Sequence, residues 1–299
     1  MHSKELLEIS NINTQKPRID NRIPRPEWLK VRAPGGEKYA ELKTMMRSKS
    51  LHTVCEEAHC PNIGECWGRG TATFMILGDV CTRSCRFCAI ATGKPSAADY
   101  GEPKRIAESV QKMGLKHTVI TSVTRDDLKD QGAEIWAQTI IETKNLNPNC
   151  TIEVLTPDFK AREDLLDIVF AAKPDIFSHN MEMVPKLYKA IRPQSKYSTS
   201  LRVLEYGKEK GMNVKTGIMV GIGETFEEVV ELMKDVRRVG VDIFNVGQYL
   251  QPTQEHQEVL RFVHPDEFAE YKRIGLEIGF RHVESGPLVR SSYHAEMHI

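Results

Sequence analysis

Six of the seven cysteines lie between positions 55 and 88, at Cys55, Cys60, Cys66, Cys81, Cys85 and Cys88. They read as C-x4-C-x5-C followed by C-x3-C-x2-C. A chain of this length does not need disulfides to complete its core, and reduced thiols crowded in this way ask for a metal. Zinc takes thiolates, but its structural sites prefer four ligands from paired C-x2-C knuckles, a spacing that only Cys85 and Cys88 have. Two triads leave each zinc one ligand short unless His52 or His59 fills the gap. A [4Fe–4S] cube usually takes four thiolates, so a triad leaves one iron open to a chelating small molecule. Two triads suggest two clusters, each with one differentiated iron. Cys150, just before an expected strand, reads as a buried inert thiol.

These thiols need a scaffold. After Cys88 strand and helix signals alternate, the βα rhythm of a parallel sheet. Strands are expected at 72–77, 118–123, 151–155, 175–179, 213–220 and 243–249, and helices at 104–113, 133–145, 162–172, 197–210, 226–239 and 266–278. Six βα units make an α/β fold of the partial (β/α)6 TIM-barrel type. The C-x3-C-x2-C loop follows the first strand, at the end of the barrel where reactive residues sit. The chain divides into an N-terminal extension with the first triad (1–70), the barrel (71–279) and a short C-terminal segment (280–299). Within the extension, segment 15–34 carries Pro17, Pro24, Pro26 and Pro34 and should be extended. Its Lys16, Arg18, Arg22, Arg25, Lys30 and Arg32 outnumber Asp20 and Glu27, which makes it a solvated arm or a docking strip for an acidic partner.

Composition bounds the function. Among 299 residues, 41 Lys+Arg balance 41 Asp+Glu, and 40% are hydrophobic. That excludes general disorder and gives no basic footprint for nucleic acid. No apolar run is long enough to span a membrane, and the first residues carry no signal-peptide pattern, so a cytoplasmic protein is expected. Stretch 217–224, GIMVGIGE, is no dinucleotide fingerprint, because Phe226 stands where the third glycine is needed.

At C-x3-C-x2-C the chain resembles the radical S-adenosylmethionine superfamily. Its flanks narrow this to the lipoyl synthase family: LHTVCEEAHCPNIGECW at 51–67, ATFMILGDVCTRSCRFC at 72–88 and TSVTRDDL at 121–128. The match continues through EVLTPDF at 153–159, GQYLQPT at 247–253 and SGPLVRSSYHA at 285–295. It covers the chain from about residue 24 onward. Three places depart from the family pattern: Gln131 where Gly is usual, Met183 where Thr is usual, and Gln257-Glu258 in place of Leu-Pro.

The resemblance implies a sulfurtransferase that inserts two sulfur atoms at C6 and C8 of an octanoyl chain, the last step of protein lipoylation. The chain is carried on a lysine of a lipoyl domain, in 2-oxoacid dehydrogenase complexes or the glycine cleavage H protein. It implies two [4Fe–4S] clusters, with S-adenosylmethionine as cosubstrate. One is held by Cys81, Cys85 and Cys88, and its open iron chelates S-adenosylmethionine to yield a 5′-deoxyadenosyl radical. The other is an auxiliary cluster on Cys55, Cys60 and Cys66, consumed as sulfur donor, with a fourth ligand from Ser291 or Ser292; Ser292 is favoured. Thr121 and Ser122 would approach the methionine amino group and Arg192 its carboxylate. Asn180 and Glu182 would meet the ribose, and Gly221 would meet the nucleoside through its backbone. A low-potential electron donor and an iron–sulfur carrier for cluster repair are the further partners implied. The rival readings are another radical S-adenosylmethionine enzyme with an auxiliary cluster, and a zinc-stabilised binding module.

Overall fold

A computed structural model describes residues 24–31, 35, 37–49, 51–57, 60–68, 73–293 and 295. Lys16, Arg18, Arg22 and Arg32 of the basic arm lie outside the described residues, as do His59 and His294. At 24–31 the chain is extended at Pro26 and then makes one 3-10 turn, Glu27–Leu29, which buries Leu29.

Helix α1 (Glu37–Ser48) leads into a two-residue strand, β1 (His52–Thr53), and then two short helices, α2 (Val54–Glu57) and α3 (Ile63–Gly68). Strand β2 (Thr73–Ile76) follows, buried along its whole length. The next loop is bracketed by a small parallel pair, β3 (Val80–Cys81) and β4 (Ala91–Thr92). Alternation then begins with α4 (Glu102–Met113), β5 (His117–Ser122), α5 (Ala133–Leu146), β6 (Thr151–Leu155), α6 (Glu163–Ala171) and β7 (Ile176–Ser178). It continues with α7 (Tyr188–Ile191), α8 (Tyr197–Glu209), β8 (Val214–Val220), α9 (Phe226–Arg238), β9 (Ile243–Gln248), α10 (Pro265–Ile278) and β10 (His282–Gly286).

The main sheet runs β1-β2-β5-β6-β7-β8-β9-β10, and all neighbours are parallel except β1 against β2. The six expected barrel strands are therefore present in the expected order. Two further strands widen the open sheet: β1 pairs His52 with Met75, and β10 pairs Val283 with Phe244. Neither carried a sequence signal. A two-residue strand has no periodicity, and HVESG reads as turn.

Parallel strands covered on both faces need near-continuous apolar runs, and the helices cover them with one apolar stripe each. On α9 that stripe is Val229, Leu232, Met233 and Val236, all buried. The helix starts at a capping box: the Thr225 Oγ1 accepts from the Glu228 amide at 3.3 Å and the Glu228 carboxylate accepts from the Thr225 amide at 2.8 Å. Inside the barrel, the Lys215 ammonium donates to Glu153 at 2.8 Å and Ser178 donates to the same carboxylate at 2.9 Å. This fully satisfied polar group ties β6, β7 and β8 in register. Among the described residues no helix is long and apolar enough to cross a membrane.

Two of the three departures have a local account. Gln131 holds φ 50°, the left-handed region that the usual glycine enters freely. Met183 is buried with Tyr188, Ile191, Ile222 and Tyr249, a place suited to an apolar side chain.

Candidate active site

A cavity of about 1470 Å3 runs from the C-terminal ends of the strands back to the start of β5. Its walls include all six clustered cysteines, together with Thr121, Ser122, Asn180, Glu182, Arg192, Ser291 and Ser292. The cavity thus gathers residues that are as far apart in sequence as Cys55 and Ser292. It exceeds the roughly 300–1,000 Å3 of an ordinary small-molecule pocket.

The Cys81 loop is seated from both sides. The Cys81 Sγ accepts from the amides of Arg83 and Thr124, each at 3.4 Å. The Cys88 amide donates to the Cys85 carbonyl at 3.1 Å, and His256 Nε2 lies 3.0 Å from the Cys88 carbonyl. The neighbouring Gln257 amide donates to the Arg86 carbonyl at 2.8 Å. Gln257 and Glu258, the third departure, are not on the cavity wall, but the Gln257 carbonyl accepts from the hydroxyl of Tyr249, which is, at 2.8 Å.

The first triad, Cys55, Cys60 and Cys66, sits on α2 and α3 and the turn between them. There the Cys60 amide donates to the Cys55 carbonyl at 3.1 Å and the Cys66 amide to the Asn62 carbonyl at 2.9 Å. Burial pushes the Cys55 and Cys88 thiols up to about 12. Burial also raises Cys60, opposed by the Asn62 amide and the Arg290 guanidinium, and raises Cys85, opposed mainly by Arg192. Buried thiols of this kind become thiolates only when a cation replaces the proton, which is what a metal cluster does. Among the described residues no three His, Cys, Asp or Glu side chains converge as around a single ion. A cubane, with its irons set apart, suits thiols spread along a shared cavity; the donor set fits iron–sulfur clusters.

Around these thiols are polar groups that want a ligand. Ser122 Oγ, Thr156 Oγ1 and Arg192 Nε line the cavity and are buried without a hydrogen-bond partner among the described residues. A buried unsatisfied group on a cavity wall is a place that a ligand or water can complete. The Arg192 Nη1 donates to the Met181 carbonyl and the Tyr188 hydroxyl, both at 3.3 Å, and the guanidinium lies 5.2 Å from the Tyr188 ring centroid. Glu182 is held at φ 69° by a bridge to β8, its amide donating to Gly217 O at 3.0 Å and its carbonyl accepting from Met219 at 2.9 Å. Burial raises its carboxyl, while Arg192 and Asn180 oppose the rise. A left-handed glutamate on a cavity wall is a strained, over-determined residue of the kind found at functional sites.

Two of the residues expected to contact the ligand also bond within the protein. Asn180 Nδ2 donates to Ser291 Oγ at 2.7 Å, joining β7 to the C-terminal segment. Gly221 does not line the cavity. Its amide donates to Glu224 at 2.6 Å and its carbonyl accepts from Leu260 at 2.8 Å, so its backbone is spent within the protein. Its φ is +97°, and a Cβ there would stand 2.5 Å from the Arg261 carbonyl, which makes it a turn former.

The C-terminal segment closes over the first triad. The Asn62 side chain donates to the Leu288 carbonyl at 2.7 Å, Tyr293 donates to Glu65 at 3.4 Å and Asn245 donates to the Ser291 carbonyl at 3.3 Å. The approach requires Gly247, where a Cβ would stand 2.2 Å from the Val289 carbonyl. Ser291 Oγ is claimed by Asn180, whereas no protein hydrogen bond reaches the Ser292 hydroxyl among the described residues.

Sequence reasoning missed Tyr188, Thr156 and Arg83. Only Arg83 had a signal available, its place between two candidate ligands. Its guanidinium, with the side chain 4% exposed, donates to Asp126, Asp158 and Ser195. Asp158 also opens an unusual turn in which Phe159, Lys160 and Ala161 take φ of 43°, 54° and 54°. Successive left-handed non-glycine residues each cost about 1–2 kcal/mol.

Comparison with known proteins agrees with this geometry. The family model described as the radical SAM superfamily matches residues 75–236, and that for the N-terminal domain of lipoyl synthase of the radical SAM family matches 4–60. Lipoyl synthase of Rubrobacter xylanophilus is 59% identical over 92% of this chain and 86% of its own. The mitochondrial lipoyl synthase of Nematostella vectensis is 51% identical over 93% and 96%. Among solved structures, methylornithine synthase superposes with a TM-score of 0.54 at 14% identity, covering 86% of this chain and 85% of that one. SuiB of Streptococcus suis bound to S-adenosylmethionine superposes at 0.53 and 15%, covering 81% and 57%. These two show the shared fold. An open parallel half-barrel with a C-x3-C-x2-C loop at the C-terminal end of its first strand defines a radical S-adenosylmethionine protein. At these levels of identity over nearly the whole length, the chain belongs to the lipoyl synthase family.

Proposed function

We propose that this chain inserts two sulfur atoms, at C6 and C8, into the octanoyl group carried on a lysine of a lipoyl domain. The observation that carries the reading is that both thiol triads open onto one cavity. Unactivated C–H bonds give no carbanion that an acid–base side chain could stabilise, so a radical is required. When bound, a cluster on Cys81, Cys85 and Cys88 supplies the electron that cleaves S-adenosylmethionine to a 5′-deoxyadenosyl radical, and a cluster on Cys55, Cys60 and Cys66 supplies sulfur.

The protein's own part is positioning. Arg192, with its unpartnered Nε, receives a carboxylate, and Thr121 and Ser122 at the end of β5 receive the amino group. Glu182 is placed to accept from ribose hydroxyls. Asn180 orients the serine segment, and Ser292, whose hydroxyl has no protein hydrogen bond among the described residues, is the ligand that completes the first triad. Oxygen is a harder, less fitting donor to cluster iron than thiolate, so that corner opens readily.

The three segments 1–70, 71–279 and 280–299 correspond to sulfur-donor loop, barrel and closing strap. The reading implies acidic lipoyl domains as protein substrates, a low-potential electron donor and a carrier that rebuilds the spent cluster. A cytoplasmic setting is supported by the six clustered thiols, which as metal ligands need a reducing compartment.

The test is an anaerobic assay with an octanoylated lipoyl-domain peptide, followed by mass. Wild type with about eight irons per chain, two cubes, gains two sulfurs per peptide. Cys60→Ala should still cleave S-adenosylmethionine but add no sulfur. Equal loss of both activities in a folded variant would refute separate roles for the triads.

A further inference from the structure

The TSVTRDDL and EVLTPDF stretches line the cavity with Thr121, Ser122 and Thr156, and Arg83 accounts for the two aspartates that follow those residues. All five of its guanidinium N–H bonds are used. Nε and Nη2 donate to Asp126 at 2.7 and 3.0 Å, Nη1 and Nη2 to Asp158 at 2.7 and 2.8 Å, and Nη1 also to Ser195 at 3.2 Å. Asp126 follows β5 and Asp158 follows β6, so one side chain pins the cysteine loop to two strand ends. Asp158 reaches it from the head of the strained left-handed turn, which shows that the fold accepts unfavourable backbone to put this carboxylate in place.

The opposite side of the loop is seated on the segment after α7. The Ser195 amide donates to the Arg192 carbonyl at 3.0 Å, the Arg86 amide to the Ile191 carbonyl at 2.9 Å, and Gln194 Nε2 to Ser84 Oγ at 2.9 Å. Arg83 therefore touches, through Ser195, the turn that carries Arg192. We propose that Arg83 is a positioning residue that fixes the Cys81 loop relative to Arg192, and thereby sets how tightly S-adenosylmethionine binds. This rests on the reading of Cys81, Cys85 and Cys88 as cluster ligands and Arg192 as the carboxylate partner.

Lysine retains the charge of Arg83 but not its planar five-donor fork, so it cannot bridge both aspartates and the serine. The experiment measures S-adenosylmethionine binding calorimetrically to the reconstituted, unreduced full chain, with iron content and melting temperature determined on the same samples. Arg83→Lys with wild-type iron should bind about tenfold more weakly, because the loss is one of alignment. Ser195→Ala removes only the link to the Arg192 turn and leaves both carboxylate pairs intact. It should weaken binding about fivefold, the worth of one hydrogen bond, at unchanged iron and melting temperature. Should Arg83→Lys lose its cluster, Ser195→Ala decides alone. Unchanged affinity in Ser195→Ala, or in an iron-replete Arg83→Lys, overturns the proposal. Failure of the underlying ligand reading looks different: Cys81→Ala would then keep its full iron and its S-adenosylmethionine affinity.

Discussion

At the scale of single residues, the site is a problem of donors without partners. Ser122 Oγ, Thr156 Oγ1 and Arg192 Nε face the cavity without a hydrogen-bond partner among the described residues. Evolution tolerates such groups where a ligand completes them. The two adjacent serines are separated by the same logic, because Ser291 is engaged by Asn180 while Ser292 is not. Ser292→Ala should leave S-adenosylmethionine cleavage near wild type and abolish sulfur insertion, with an altered Mössbauer signature for one cube. Ser291→Ala should reduce insertion only partly. The reverse ranking, measured as sulfur gained per peptide, would hand the ligand role to Ser291.

Elements carry the second level of control. The turn at 159–161 keeps Lys160 at φ 54° with its side chain largely exposed, at 57%. Glycine enters that region freely, so Lys160→Gly should stabilise the fold by about 0.5–1 kcal/mol despite the lost ion pair with Asp126. Urea unfolding checks this, and a lower midpoint would mean that the turn is not strained. At β9 the constraint is steric. A methyl at Gly247 would collide with the Val289 carbonyl, so Gly247→Ala should push the serine strap away from the first triad. The variant should lose most sulfur insertion while S-adenosylmethionine cleavage persists, readable as product ratio in one anaerobic assay.

For the whole molecule, acid stability follows from two groups beside the cysteine loop. Burial drives the imidazole of His179 down to about 4, with Asp158 opposing. Its partners, the Thr156 carbonyl at 2.9 Å and Ser200 Oγ at 3.0 Å, suit the neutral ring. Burial alone would raise the Asp158 carboxyl, but Arg83 outweighs it and holds the group at about 2. Both groups bind protons less readily folded than unfolded. The contribution of His179 is full above pH 6.5 and fades as pH falls toward 4, and that of Asp158 is full above about 3.9 and fades toward 2. Stability should therefore be flat in these terms above pH 6.5 and decline below it, at up to about 1.4 kcal/mol per pH unit for one proton. His179→Gln should flatten the slope between pH 6.5 and 4 in urea titrations; an unchanged slope would remove His179 as its origin.

Short-range pattern in the sequence determined a good deal. Cysteine spacing singled out two triads, which the fold brings to one cavity, and the βα alternation placed six strands and their helices, because residue spacing and hydrophobic periodicity are local properties. The widening of the sheet by β1 and β10 was not legible, since neither strand has a period of its own and both are defined by the neighbour they pair with. Nor could spacing reveal that Arg83 joins two strand ends, that Asn180 takes Ser291, or that the Gly221 backbone is spent within its own turn. The first two depend on which groups meet across 43 to 111 residues of chain, and only the folded arrangement of strand ends decides that.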